Sequence, residues 1–146
     1  MTNIDNFCII AMNENTHFGG ENMHYNVIHD RILNGEYNTR LSPQKHKRHV
    51  EGTKEYEKYV GDQLKIGMSK PAKIYVNFEE TQQIINKYAG TGELHETYGS
   101  NAPQEYIKAE KIIGAYEEHG VYYDTETCMI KYSKRNAHLI PVKPRD

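Results

Sequence analysis

Apolar positions recur with a clear helical spacing at one place in the chain. Ile84, Ile85 and Tyr88 form a stripe with Gly90 behind them, which predicts a helix over residues 79–88. A second, shorter helix is expected from Thr53 as N-cap, with Tyr56, Tyr59 and Val60 on one face and Gly61 as its end. Residues 73–78 alternate and are β-branched enough for a strand. A long polar loop is expected over residues 90–103. Three strand-like runs follow it, over residues 110–117, 121–124 leading into 127–133, and 137–142. Turn signals at Glu118-His119-Gly120 and Lys134-Arg135-Asn136 separate these runs. Helices first and an antiparallel meander afterwards point to an α+β fold, with N-terminal helices packed on a small antiparallel β-sheet. Residues 1–39 read differently. They are rich in Asn, with one short strand pattern at 7–12 and a short helical pattern at Tyr25, Ile28 and Ile32. They are taken as an accessory N-terminal segment in front of a domain spanning 40–146.

The composition agrees with one globular domain. The 146 residues are 37% hydrophobic and 26% charged, and 12 Tyr and 3 Phe supply much of the bulk available to a core. No run approaches the roughly 18 apolar residues of a membrane span, and the N-terminus lacks the basic and apolar regions of a secretory signal. Cys8 and Cys128 make neither a disulfide framework nor a four-ligand zinc site. These features lead us to expect a soluble, reduced, cytoplasmic protein with no membrane partner, acting in the host cytoplasm if a phage encodes it.

Charge changes the picture more. The net charge is only −2, yet residues 40–54 hold five Lys/Arg against Glu51, and residues 131–146 hold five more against Asp146. The rest of the chain carries 8 basic and 18 acidic residues. Two basic islands on an acidic body are an electrostatic footprint for a polyanion, although charge alone is equally compatible with two solvated runs.

Several chemistries lack their parts. There is no HExxH, CxxC, GxGxxG, GxxxxGK[ST] or GxSxG, so metal sites, nucleotide cradles and serine hydrolase elbows have no signature, and no metal or cofactor is expected. Cys128 alternates with Ile130 and Tyr132 and reads as core. His49 and His138 are different, because each stands inside a basic island. Metal-free cleavage of RNA needs a base for the 2′-hydroxyl, an acid for the leaving 5′-oxygen and cations around the phosphate. Imidazole suits both proton roles. A carboxylate can replace one of them, and Glu105 and Glu110 lie ahead of the predicted sheet. If the turn at 134–136 pairs its flanking strands, Lys131 or Ser133 sits beside His138.

The segments that carry these residues resemble a known family. Lys47-Arg48-His49-Val50-Glu51-Gly52-Thr53, Tyr88-Ala89-Gly90-Thr91-Gly92, Ile112-Ile113-Gly114-Ala115-Tyr116, and Ile130-Lys131-Tyr132-Ser133-Lys134 with Ala137-His138-Leu139-Ile140-Pro141 are similar to the polymorphic toxin type 50 domain. That family occurs in bacterial toxins and at the C-terminus of phage head-morphogenesis proteins, and is grouped with barnase–EndoU–colicin–RelE-like, metal-independent ribonucleases. The resemblance implies a ribonuclease-like toxin fold with His49 and His138 as catalytic candidates. It also implies Thr53, Lys131 and Ser133 as supporting polar groups. With Arg48 and Lys134 they form the expected substrate-binding set, and Glu105 stays a third catalytic candidate. RNA is the implied substrate, by 2′-hydroxyl transesterification, and an immunity or host protein is an implied partner. The family's Lys-Gly turn appears here as Arg135-Asn136.

Two other classes remain in view. A non-enzymatic, phage-encoded protein that binds and inhibits a host defence protein would use residues 1–39, which a nuclease does not need. An ADP-ribosyltransferase would want a Glu near the end of the sheet, and none follows Glu126.

Overall fold

Short polar side chains start each helix. Asn77 accepts a hydrogen bond from the Glu80 N–H at 2.8 Å, opening the helix Phe78–Tyr88, whose first turn carries Glu79 and Glu80 at the positive end of the helix dipole. This cap also explains why the expected strand over 73–78 is cut to Lys73–Ile74: Phe78 already belongs to the helix. Thr53 caps the helix Lys54–Lys65 through the Tyr56 N–H at 3.0 Å. That helix does not stop at Gly61. It runs on to Lys65 and is closed off by Gly67, where a φ of 76° allows the Gly67 and Met68 N–H groups to reach the carbonyls of Leu64 and Gln63.

The computed structural model describes residues 29–95 and 103–145. Over these residues the elements run α1 (Pro43–Lys47), α2 (Lys54–Lys65), β1 (Lys73–Ile74), α3 (Phe78–Tyr88), β2 (Glu93–His95), β3 (Gln104–Lys108), β4 (Gly114–Glu118), β5 (Val121–Thr125), β6 (Thr127–Tyr132) and β7 (Ala137–Pro141). The fold is α+β, as the pattern predicts, but the strands form two antiparallel sheets rather than one meander. One has the order β1–β4–β5 and the other β2–β3–β6–β7. The break falls at residues 125–127. There the Thr125 hydroxyl donates to the Val142 carbonyl and accepts from the Thr127 N–H, so β5 and β6 part into different sheets. The β4–β5 hairpin turns where expected, through His119 and Gly120, both at positive φ. β2 and β3 were hidden in the polar stretch because only Leu94, Glu105 and Ile107 face inward.

The four-stranded sheet buries one face. Ile107, Cys128, Ile130 and Leu139 pack there against Ile84 and Ile85 of α3. Cys128 is core, as expected, and burial pushes its thiol up to about 12. Residues ahead of the domain join it: Ile32 is 2% exposed in this core and Asn38 bridges Ser133, while Leu41, at the domain's start, bridges Ala137. The strand pattern at 7–12, together with Tyr25 and Ile28, lies outside the described residues. No helix among the described residues is long and apolar enough to cross a membrane.

The two sheets meet at Gly114. A Cβ there would lie 2.1 Å from the Lys73 carbonyl oxygen and 2.6 Å from Pro141 Cγ, whereas one at Gly61 would meet nothing within 4 Å. Gly114→Ala is therefore expected to lose about 1–3 kcal/mol. Gly61→Ala should gain about 0.5–1 kcal/mol from helix propensity. Urea denaturation of both variants checks the pair, and equal midpoints would contradict the packing at Gly114.

Candidate active site

The first half of the site is built by a short helix and the strand it leans on. Ser42 caps α1 through the Lys45 N–H at 3.2 Å, and Pro43 presets its first turn. One turn on, the chain reaches His49, which is 4% exposed. Residues 72–74 clamp it. The His49 carbonyl accepts from the Ile74 N–H at 2.7 Å, and ring Nδ1 lies 2.9 Å from the Ala72 carbonyl oxygen. A carbonyl cannot donate, so Nδ1 carries the proton, and in the neutral ring Nε2 holds the lone pair. Tyr59 of α2 supports both neighbours. His49 meets it edge-on at 5.8 Å, and the Arg48 guanidinium lies 5.6 Å from its ring centre. Burial holds the His49 imidazolium below its usual range against the opposing Ala72 bond, and the nearby Arg48, His46 and Lys131 add to the depression.

The second half comes from the four-stranded sheet. β6 and β7 pair so that Lys131 stands opposite His138, as the turn signal predicts. Both project from the face opposite Ile130 and Leu139, because strand side chains alternate. Burial is the largest cause that lowers His138, followed by the positive charge of Lys45, the neighbouring His49, and then Lys131 and Arg48; its imidazole is brought down to about 3. Lys45 reaches across from α1 and donates to Asn136 Oδ1 at 3.3 Å. Among the described residues, the charges that act on His138 come from cations and an imidazole. Two neutral imidazoles and the cations Lys45, Arg48 and Lys131 thus share one neighbourhood.

Of the expected site residues, His49, His138, Arg48 and Lys131 converge, and the others do not. Glu105 is a correction of placement. It pairs with Ile130 in the sheet and faces the core, away from Lys131 and His138. There its carboxylate is fully buried and accepts from the Gly90 N–H (3.0 Å), the Gly92 N–H (2.6 Å) and the Tyr132 hydroxyl (2.6 Å). Burial and this carboxylate push the Tyr132 phenol far up. Thr53 is occupied as a cap and donates to the Lys47 and Val50 carbonyls. Ser133 closes the β6–β7 turn, donating to the Asn136 carbonyl and accepting from the Arg135 and Asn136 N–H groups. Lys134 is exposed on that turn and acts on Glu36 rather than on His138.

Sequence reasoning missed Lys45 and Tyr59 as members of the site. The signal for Lys45 was present in Ser42-Pro43, a helix start that places residue 45 one turn before Arg48. His46 lies on the same helix but turns against Phe78, edge-on at 5.6 Å, with Nδ1 buried and without a hydrogen-bond partner.

A family model described as bacterial toxin 50 matches residues 41–141, a span that holds all of these side chains. The chain belongs to the bacterial toxin 50 family. No curated protein and no solved structure matches it. The matched span begins at Leu41, where the chain bridges β7, and ends at Pro141, the last residue of β7. The matched span thus contains both halves of the site and most of the core, to which Ile32 adds from outside it.

Two measurements check this geometry. The unfolded chain binds a proton at His138 near pH 6.5, whereas the folded toxin domain does so only near 3. Its contribution to stability is therefore complete above about 6.5 and is lost as the pH falls toward 3. Urea midpoints of His138→Gln should fall less steeply with acid than those of the wild type; equal slopes would contradict the burial of the ring. Tyr132→Phe removes one donor from the buried Glu105 and should cost about 1–3 kcal/mol by the same assay.

Proposed function

We propose that this toxin domain is a metal-independent ribonuclease that cleaves RNA by transesterification, with no cofactor. The observation that carries the reading is the cluster of Lys45, Arg48 and Lys131 around two neutral imidazoles. Concentrated positive charge is suited to a phosphodiester, and the flanking imidazoles are suited to move its protons.

The tautomer of His49 separates the two proton roles. With Nδ1–H committed to the Ala72 carbonyl, Nε2 offers a lone pair and acts as the base. The 2′-oxygen forms a bond to phosphorus while its proton passes to His49 Nε2. The bond from phosphorus to the 5′-oxygen breaks, and a proton from His138 goes to that oxygen. The products are a 2′,3′-cyclic phosphate and a 5′-hydroxyl. The proton gained by His49 and the one lost by His138 then re-equilibrate through solvent. Lys45, Arg48 and Lys131 hold the phosphate oxygens as charge builds on them. Glu105 acts at a distance as a positioning residue, tying the turn at Gly90–Gly92 to the sheet that carries His138.

The test is incubation of the purified full chain with total RNA in EDTA. The wild type should cleave, and His49→Gln and His138→Gln should each lose about 10²–10⁴-fold. Arg48→Ala and Lys131→Ala should chiefly raise KM. If folded wild type leaves RNA intact, the toxin acts by occupying a host protein instead. That alternative is tested by removing residues 1–28, which spares the buried Ile32.

A further inference from the structure

The site poses a problem for its own chemistry. A general acid must be protonated before it can act, yet the surroundings of His138 all oppose its charge. Lys131 stands directly across the strand pair, Lys45 and Arg48 approach from α1 and its end, and His49 adds a second imidazole. Gln104, across from Lys131 on β3, is neutral. Among the described residues, the charges that act on His138 are positive.

We infer that binding of a phosphate group and protonation of His138 are one coupled event, so that the site acquires its acid only when it is occupied. This rests on reading the cluster as a phosphate site. Burial and the surrounding cations together keep the imidazole neutral; an anion seated among Lys45, Arg48 and Lys131 offsets the cationic part and adds an acceptor for its N–H. Linkage makes the effect reciprocal: the anion draws a proton onto His138, and the proton tightens the anion by the same factor. The toxin then takes up a proton as it engages its ligand and carries an uncharged histidine pair otherwise. Ligands with a phosphate are thereby distinguished from neutral ones by chemistry as well as by affinity, because a neutral ligand leaves the acid uncharged.

Sulfate is the probe, because its charge does not change over the relevant pH range, whereas inorganic phosphate titrates itself. Sulfate affinity of the full chain is measured by calorimetry from pH 7.5 downward, beside NMR titration of the His138 ring with and without sulfate. The expected result is a Kd that is flat above the titration point of His138 in the sulfate complex and falls below it, by up to about tenfold per pH unit, while one proton is taken up. The His138 titration should move upward on saturation, and His138→Gln should still bind sulfate without the pH slope. A Kd independent of pH, an unmoved His138 titration, or a slope that survives in His138→Gln would each overturn the inference. Absence of sulfate binding would overturn it as well. The wild-type NMR titration decides the matter should the variant fail to fold. The outcome is separable from ribonuclease activity. Proton-coupled sulfate binding in a protein that leaves RNA intact upholds this inference and removes the ribonuclease reading. RNA cleavage with a flat sulfate profile does the reverse.

Discussion

The pairing of β6 with β7 is the constraint on which the rest of the molecule depends. Side chains along a strand alternate, so one register decides two things at once. It turns Cys128, Ile130 and Leu139 toward α3 and the core, and it turns Lys131 and His138 to the opposite face. A slip of one residue would put a lysine and an imidazole among aliphatic side chains and expose the core residues. The energy that specifies the fold is thus the same energy that places half of the site. The turn at Ser133–Asn136 secures the register, and for that reason the Ser133 hydroxyl is committed to backbone partners rather than to a ligand.

The other half of the site depends on how the two sheets meet. β1 is only two residues long, yet it and Ala72 hold both the backbone and the ring of His49. β1 is in turn paired to β4, which passes close to Pro141 of β7 at Gly114. An imidazole in the turn after α1, held by one sheet, and an imidazole on a strand of the other are therefore brought together by backbone packing. Such an arrangement is stiff, and stiffness suits groups that must meet a ligand without reorganising.

This neighbourhood is also where the fold gives up stability. Gathering Lys45, Arg48 and Lys131 beside the buried His49 and the half-buried His138 raises the energy of the folded state. Elsewhere charge is handled conventionally. Lys73 meets Glu51, Lys58 meets Asp62, and the buried Glu105 has three donors. Such a cationic cluster in an otherwise well-paired protein is the mark of a surface shaped for something outside itself.

Much of this was legible in the residues alone. The stripe Ile84, Ile85 and Tyr88 specified α3, Thr53 specified the start of α2, and the basic islands around His49 and His138 singled out the imidazoles, because these signals depend on near neighbours in the chain. The short turn at 134–136 offered Lys131 or Ser133 beside His138, and the register takes Lys131. What failed was what depends on distant partners. Gly61 read as a stop because a glycine carries no record of whether a helix continues past it. Residues 104–108 read as no element because their alternation appears only once β6 lies alongside. Glu105 therefore read as a free carboxylate, whereas pairing with Ile130 turns it inward to Gly90, Gly92 and Tyr132. Sequence determined the α+β class, the principal helix and the chemical character of the site. Tertiary structure alone decided which polar groups face the site and which are committed to holding the chain, because the face a side chain takes is set by the strand beside it.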